Sequence, residues 1–174
     1  MGLDITAHEK IIPIGRHTAD GEWCEEENHQ TVFVYKGFQQ SGRGLNLDVE
    51  SRQFMEGGCV ETSGEMIRFR AGSYSGYGLW RKTLSEAALG VPPETVWADP
   101  DAWRDQPFFE LIHFADNEGT IGFVAADDLA RDFAEHRDTV RPKLVAVYDR
   151  YGEKYDEWQA AFELAAGGGM VRFH

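Results

Sequence analysis

Cysteine, long apolar runs and positive charge are all scarce in this sequence. Its two cysteines, Cys24 and Cys59, lie far apart, which indicates the reduced thiols of a cytosolic protein and not a disulfide framework. No segment approaches the roughly 18 to 20 continuous apolar residues of a membrane helix, and the start lacks the pattern of a signal peptide. We therefore expect a cytoplasmic protein with no membrane partner.

The shortage of positive charge bears on the partners of the protein. Lys and Arg number 17 against 30 Asp and Glu, which gives a formal net charge of −13. This excess argues against general affinity for nucleic acid, because a polyanion would be repelled. It leaves room for a small anionic ligand held by a few local arginines.

Apolar side chains are plentiful enough for a core. The chain has 174 residues, of which 42% are hydrophobic, and disorder is excluded on this composition. This length predicts a single globular domain over residues 1–174. Within it we expect a mobile acidic loop around residues 15–30 and an irregular excursion around residues 37–58.

The apolar pattern predicts strands in both halves of the chain. Alternation or β-branched composition indicates strands over 3–14, ending near Pro13, and over 31–36. Two further strands, 59–62 and 65–70, read as a hairpin joined at Ser63 and Gly64. The run 107–115 reads as a buried strand, and 170–174 as a final one.

Helical spacing predicts the remaining elements. One helix follows Tyr74, with Ser75 as its N-cap and Gly90 as its stop, and another covers about 125–138. A short helical turn is expected over 99–105. The longest helix carries an apolar and aromatic stripe over 144–165, which we interpret as core. The fold class is therefore α+β, a mainly antiparallel sheet packed against about three helices, the longest at the C-terminus.

The segment 68–81 is the first candidate site, since it passes from a strand through a small-residue loop into a helix. Backbone N–H groups at a helix start favour anions, and glycine lets the backbone approach closely. The alternative is a plain helix cap and turn with arginines paired to carboxylates. The predicted ligand-binding residues here are Arg68, Arg70, Gly72, Ser73, Ser75, Tyr77 and Trp80, the last two for stacking on a base.

The segment 110–122 is the second candidate site. Asp116, Glu118 and Thr120 could orient a ligand by hydrogen bonds to its hydroxyl or amino groups. If the protein is an enzyme, the same segment offers Asp116, Glu118 and His113 as catalytic groups. A metal site is not predicted, because the histidines have no matched spacing. A capped turn that only bonds its own backbone is the remaining alternative.

Three runs of the sequence resemble an uncharacterised family of phage and prophage proteins. They are the opening MGLDI, FRAGSYSGY at 69–77 and ELIHFADNEGTIG at 110–122. Relatives tend to carry asparagine at the position of His113, which weakens a metal or nucleophilic role for it. The resemblance implies a phage setting, the host cytoplasm as location, and an anti-defence role in which a host nucleotide signal is sequestered.

These observations favour a binding protein over an enzyme. The expected ligand is a small phosphate-bearing molecule of the nucleotide class, with no cofactor and no metal. One alternative is a nucleotide or phosphoester hydrolase that uses Asp116, Glu118 and His113. Another is an acidic protein that mimics DNA, and the sequence leaves a homo-oligomer open.

Overall fold

The computed structural model describes residues 2–16, 31–33, 58–114 and 119–174. An antiparallel sheet of five strands has the order β2-β3-β1-β5-β4. The strands are β1 (Gly2–Arg16), β2 (Thr31–Phe33), β3 (Gly58–Ser73), β4 (Gly119–Gly122) and β5 (Met170–Phe173). The central strand β1 thus lies between β3 and the C-terminal strand β5.

Seven helices occur in the described residues, and they complete an α+β fold as predicted. They are α1 (Tyr74–Leu89), α2 (Pro93–Ala98), α3 (Pro100–Trp103), α4 (Phe109–His113), α5 (Phe123–Glu135), α6 (Arg137–Val147) and α7 (Arg150–Ala165). The two longest, α1 and α7, have 16 residues each. No helix in the described ranges has the length and apolar character needed to cross a membrane.

The core lies between one face of the sheet and the helices. Alternation along β1 directs Leu3, Ile5 and Ala7 to this inner face, and all three are buried. Trp158 of α7 is fully buried at the centre. Its ring meets those of Phe69, Tyr77, Trp80, Phe162 and Phe173 at centroid distances of 5.0 to 5.8 Å. The aromatic stripe of α7 is therefore core, as its spacing predicts.

Two predicted strands prove to be one, so the hairpin at Ser63 and Gly64 is wrong. β3 runs unbroken through both residues and pairs with β1 along its length. Gly64 has a left-handed φ of 81° beside a register shift between His8 and Lys10. At this bulge the Glu65 N–H donates to the carboxylate of Glu9. Turn residues can mark a bulge within a long strand as well as the end of one.

The strand predicted over 107–115 is also wrong, because this segment forms helix α4. Short apolar runs bury equally well as strand or helix, so the pattern alone does not separate the two. The chain turns into α4 at Phe108, whose φ is 62°. The backbone N–H of Phe108 donates to the Asp132 carboxylate at 2.6 Å, which holds that turn against α5.

The single helix predicted over 144–165 is two helices, since the backbone is extended at Tyr148. Helices α6 and α7 fold against each other, and Arg141 donates two hydrogen bonds to Asp156 across them. A Cβ on Gly152 would lie 2.7 Å from Val145, so glycine permits this close approach. Val147 and Tyr148 continue the apolar spacing across the break, but both are exposed, so the prediction that the whole stripe is core is wrong at these two residues.

The remaining predicted elements largely agree with the structure. β1 extends past Pro13 to Arg16, and the final strand is β5. The helix predicted over 125–138 covers Phe123–Glu135, and the short turn over 99–105 contains α3. Gly90 ends α1 in the left-handed conformation, as predicted. The expected acidic loop and irregular excursion lie almost wholly outside the described residues, as do positions 34–36 of the second predicted strand.

Candidate functional site

The outer face of the sheet, opposite the helical core, carries polar and charged side chains. Alternation that buries Leu3, Ile5 and Ala7 directs Asp4, Thr6 and His8 of β1 to this outer face. The neighbouring strands match it, because Arg68 pairs with Thr6 from β3 and Arg172 pairs with Thr6 from β5. We call the set Asp4, Thr6, His8, Arg68, Arg70, Thr120, Arg172 and His174 the outer-face cluster.

One row of this cluster crosses four strands. Arg68, Thr6, Arg172 and Thr120 occupy matched register positions on β3, β1, β5 and β4. Thr6 and Thr120 are only 5% and 1% exposed, whereas Arg68 is exposed and Arg172 is half-buried. Two guanidinium groups therefore flank a buried hydroxyl at the centre of the sheet.

The adjacent row joins Arg70 to Asp4 by strand pairing, and Asp4 to His174 by reciprocal backbone hydrogen bonds. These two bonds, of 2.8 and 3.0 Å, fix the C-terminal residue against the central strand. The guanidinium of Arg70 lies directly over Gly2, where a Cβ would collide with it. A side chain at position 2 would therefore displace this arginine.

The arginines of the outer-face cluster have no carboxylate partner among the described residues. Several cations elsewhere in the described chain do: Arg137 and Arg141 contact Asp156, and Lys154 contacts Glu157, all within 2.8 Å. A net charge of −13 makes carboxylates abundant, so three unpaired arginines on one face are unexpected. Such a group repels itself and favours an anion that bridges it.

Two histidines adjoin the arginines. A hydrogen bond of 2.9 Å joins Nε2 of His174 to the Thr6 hydroxyl. Burial lowers the pKa of His8 below its ordinary value, and the charges of Arg68, Arg172 and His174 lower it further. Burial and Arg172 likewise lower the pKa of His174, against the opposing effect of Asp4. Both rings therefore favour the neutral form when no anion is bound beside them.

Close backbone contact brings β5 into place beside these residues. A Cβ on Gly169 would lie 1.8 Å from the carbonyl oxygen of His8, so only glycine fits there. The Ile11 N–H donates to the carbonyl of Gly168, whose φ is 125°. The glycine run after α7 thus directs Arg172 and His174 onto the outer face.

The loop of the first predicted segment acts as a helix cap. The cap is Ser73 and not Ser75, because the Ser73 hydroxyl accepts the Gly76 N–H at 3.0 Å. Ser75 Oγ lies 3.1 Å from that same hydroxyl. Gly72 has a φ of 133°, which favours glycine in this turn. The capping alternative accounts for the geometry of these residues.

The stacking role predicted for Tyr77 and Trp80 is wrong. Tyr77 is 0% exposed and Trp80 is 2% exposed, and both rings pack on Trp158. Arg81 is also buried, where it donates to the Phe114 carbonyl at 2.6 Å and lies over the Trp97 ring. Helix α1 turns Tyr77 and Trp80 inward, so neither ring is open to a ligand.

The second predicted segment contributes one residue to the outer-face cluster, Thr120. Asp116 and Glu118 lie outside the described residues. His113 ends α4 with its ring stacked on Phe109 at 5.2 Å, and burial lowers its pKa. Within the described ranges, no three His, Cys, Asp or Glu side chains are placed to hold a metal ion.

A separate groove of about 530 Å³ lies between α1 and α2. Its lining includes the exposed aromatic and aliphatic side chains of Tyr74, Leu79 and Trp97, together with Lys82 and Glu94. Lys82 pairs with Glu86 along α1. The cations of this groove are thus already engaged within the fold, in contrast to those of the outer-face cluster.

Five residues of the outer-face cluster are absent from the predicted site: Asp4, Thr6, His8, Arg172 and His174. The alternation of β1 indicates that positions 4, 6 and 8 share a face. The sequence does not show that the last strand pairs with the first, and this pairing assembles the cluster. Comparison of the chain with protein-family models, curated proteins and solved structures finds no match in any of the three.

Proposed function

We propose that this protein binds a small phosphate-bearing ligand of the nucleotide class on the outer face of its sheet. The observation that carries the proposal is the group of three arginines, Arg68, Arg70 and Arg172, which have no ion pair with a carboxylate of the described residues although the chain is strongly acidic. Guanidinium forks match phosphate oxygens and bind them in pairs of hydrogen bonds. The hydroxyls of Thr6 and Thr120 add donors in the same row.

The spacing of the arginines favours a ligand larger than a single inorganic ion. Arg68 and Arg172 are two strands apart, roughly 10 Å between backbones, so their long side chains can converge on one phosphate. Arg70 lies one row away, about 7 Å along the strand, where it can meet a second phosphate or a polar group of the same ligand. A nucleotide satisfies both conditions.

The acidic remainder of the chain restricts the ligand to small anions. A net charge of −13 opposes a long polyanion, whereas a mono- or dinucleotide needs only the local field of the arginines. Together with the resemblance to phage proteins, this supports a role in sequestering a host nucleotide signal. The DNA-mimic alternative predicts instead that the arginines are dispensable.

Calorimetric titration with cyclic and linear nucleotides tests the proposal. Arg68→Ala removes a charged hydrogen-bond donor that is exposed and supports no core contact. Loss of such a bond costs about 1.5 to 3 kcal/mol, equivalent to a roughly 10- to 150-fold weaker Kd. Arg104→Ala is the matched control, because Arg104 is an exposed arginine of the helical layer that pairs with Asp101.

The expected result is binding of at least one nucleotide that Arg68→Ala weakens and Arg104→Ala leaves unchanged. Absence of binding across the panel would overturn the proposal. Equal affinity of the wild type and Arg68→Ala would show that the nucleotide does not bind on the outer face. Each variant is first checked by circular dichroism and thermal melting, so a folding defect is not mistaken for lost binding.

A further inference from the structure

We infer that the outer-face cluster cleaves a phosphodiester bond in its ligand, with His8 and His174 as the acid–base pair. The inference rests on the proposed function, since it places a phosphate over Thr6. It extends that function from binding to catalysis. The juxtaposition that carries it is a histidine on either side of the arginine-flanked row.

The two histidines lie on opposite sides of that row, in the direction along the strands. Along β1, Thr6 separates Asp4 from His8, and His174 pairs with Asp4 in the neighbouring strand. His174 reaches back to the Thr6 hydroxyl at 2.9 Å, and His8 follows Thr6 on the other side. A phosphate held between Arg68 and Arg172 would therefore have one histidine on each side of the row.

This arrangement suits in-line displacement at phosphorus, in which the attacking and leaving oxygens occupy opposite positions. A neutral histidine takes a proton from water as the water oxygen bonds to phosphorus. The ester P–O bond breaks with its electron pair on the leaving oxygen, which receives a proton from the other, protonated histidine. One water is consumed, a phosphomonoester and an alcohol are formed, and proton exchange with solvent resets both histidines.

The surroundings of the two rings support these roles. Arg68 and Arg172 can stabilise the negative charge on the phosphoryl oxygens in the transition state. His8 faces Arg68, Arg172 and His174, and His174 faces Arg68, Arg172 and Asp4. Burial, and after it the positive neighbours, lowers the pKa of both rings, and a bound phosphate would offset the positive charge and favour protonation of one ring. Thr6 holds the His174 ring toward the row, so it is a positioning residue.

The experiment separates binding from turnover. Wild-type protein is incubated with cyclic mononucleotides, linear dinucleotides and bis(p-nitrophenyl) phosphate, and products are followed by chromatography and absorbance. Binding of a phosphorothioate analogue is measured in parallel by calorimetry. His8→Gln and His174→Gln are compared with His136→Gln, a histidine at the junction of α5 and α6.

The inference predicts that His8→Gln and His174→Gln each lower the kcat about 100-fold or more. The Kd of each variant for the phosphorothioate should change less than about three-fold. The kcat of the wild type should show a bell-shaped pH profile, and each variant should lose one limb of it. The variant that lacks the acid should recover on bis(p-nitrophenyl) phosphate, whose leaving group needs no proton.

Binding without turnover, or turnover that both histidine variants retain, would overturn the inference and leave the binding proposal intact. Failure of the wild type to bind any nucleotide would instead remove the binding proposal. His174→Gln guards against misfolding, because the side chain of His174 is exposed, whereas that of His8 is buried.

Discussion

The two faces of one sheet differ sharply in this protein, although adjacent residues supply both. On β5, Val171 and Phe173 are buried in the aromatic core, while Arg172 between them joins the outer-face cluster. The inner face gains stability from dispersion and apolar burial of its aromatic and aliphatic side chains. The outer-face cluster gathers three arginines and only one carboxylate, Asp4, and such an excess of like charge is a poor way to stabilise a sheet. The difference separates residues that hold the fold from residues available for a ligand.

Phe173→Ala should have the largest effect on stability. The Phe173 ring is 1% exposed and meets Phe114, Trp158 and Tyr77 at centroid distances of 4.6, 5.4 and 6.2 Å. Truncation leaves a cavity at the sheet–helix boundary, so we expect unfolding to become easier by about 3 to 5 kcal/mol. Urea denaturation followed by circular dichroism measures this change. A loss below about 1 kcal/mol would show that the inner face is not the stabilising one.

Arg172→Ala, one residue away, should have the opposite profile. Its side chain makes no ion pair with the described residues, so the free energy of unfolding should change by no more than about 0.5 kcal/mol. Removal of its charge also relieves repulsion with Arg68. Nucleotide affinity should fall roughly 10- to 150-fold, the cost of a charged hydrogen bond. Calorimetry and urea denaturation on the same preparation give both numbers.

A large stability loss in Arg172→Ala with unchanged affinity would reverse the comparison. Arg104→Ala serves as the control here as well, since it removes an exposed arginine from the helical layer. It should leave affinity unchanged and cost only the little that a surface ion pair contributes.

The sequence allowed β1, β5 and the shared face of Arg68 and Arg70 to be predicted, but it did not predict β4, the continuity of β3 or the neighbours of each strand. Alternation alone placed Arg68 and Arg70 on one side of β3, and β1 and β5 were recognised from the same pattern. Pairing of the first strand with the last is a contact between the two ends of the chain, which no local pattern encodes. The sequence therefore does not predict that His8, Arg172 and His174 lie close together.

The failures within the candidate site have a different physical origin. Tyr77 and Trp80 follow a glycine-rich loop, a context equally suited to ligand stacking and to the start of a helix. Their burial is decided by Trp158, which lies about 80 residues later and packs on both rings. Ser73 and Ser75 are both good N-cap residues, and the backbone of Ser73, with ψ of 161°, made it the cap.

Ser73→Ala should have a smaller effect, confined to stability. The Ser73 hydroxyl accepts the Gly76 N–H, so its loss should cost about 1 kcal/mol of folding free energy. Nucleotide affinity should not change, because the cap has no place in the outer-face cluster. Ser75→Ala is the control and should cost less, since its hydroxyl bonds no backbone donor among the described hydrogen bonds. A drop in affinity for Ser73→Ala would return the loop to the binding site.

A change of pH should have the smallest effect on stability and affinity, and this effect should come mainly from the histidines of the outer face. Burial lowers the folded-state pKa of His8 and His174 below the ordinary 6.5, with the positive charge of Arg172 acting in the same direction on both. The unfolded chain then binds more protons than the folded one, so stability is fully present above pH 6.5 and declines as the pH falls below it.

A bound phosphate favours the protonated form of these histidines, so nucleotide affinity should rise as the pH is lowered, and protons should be taken up on binding. Titrations in two buffers of different ionisation enthalpy measure that uptake. His113 also has a pKa lowered by burial and accounts for residual pH dependence of stability. The double variant His8→Gln/His174→Gln should abolish the uptake, whereas uptake that persists in it would place the responsive group elsewhere than the outer face.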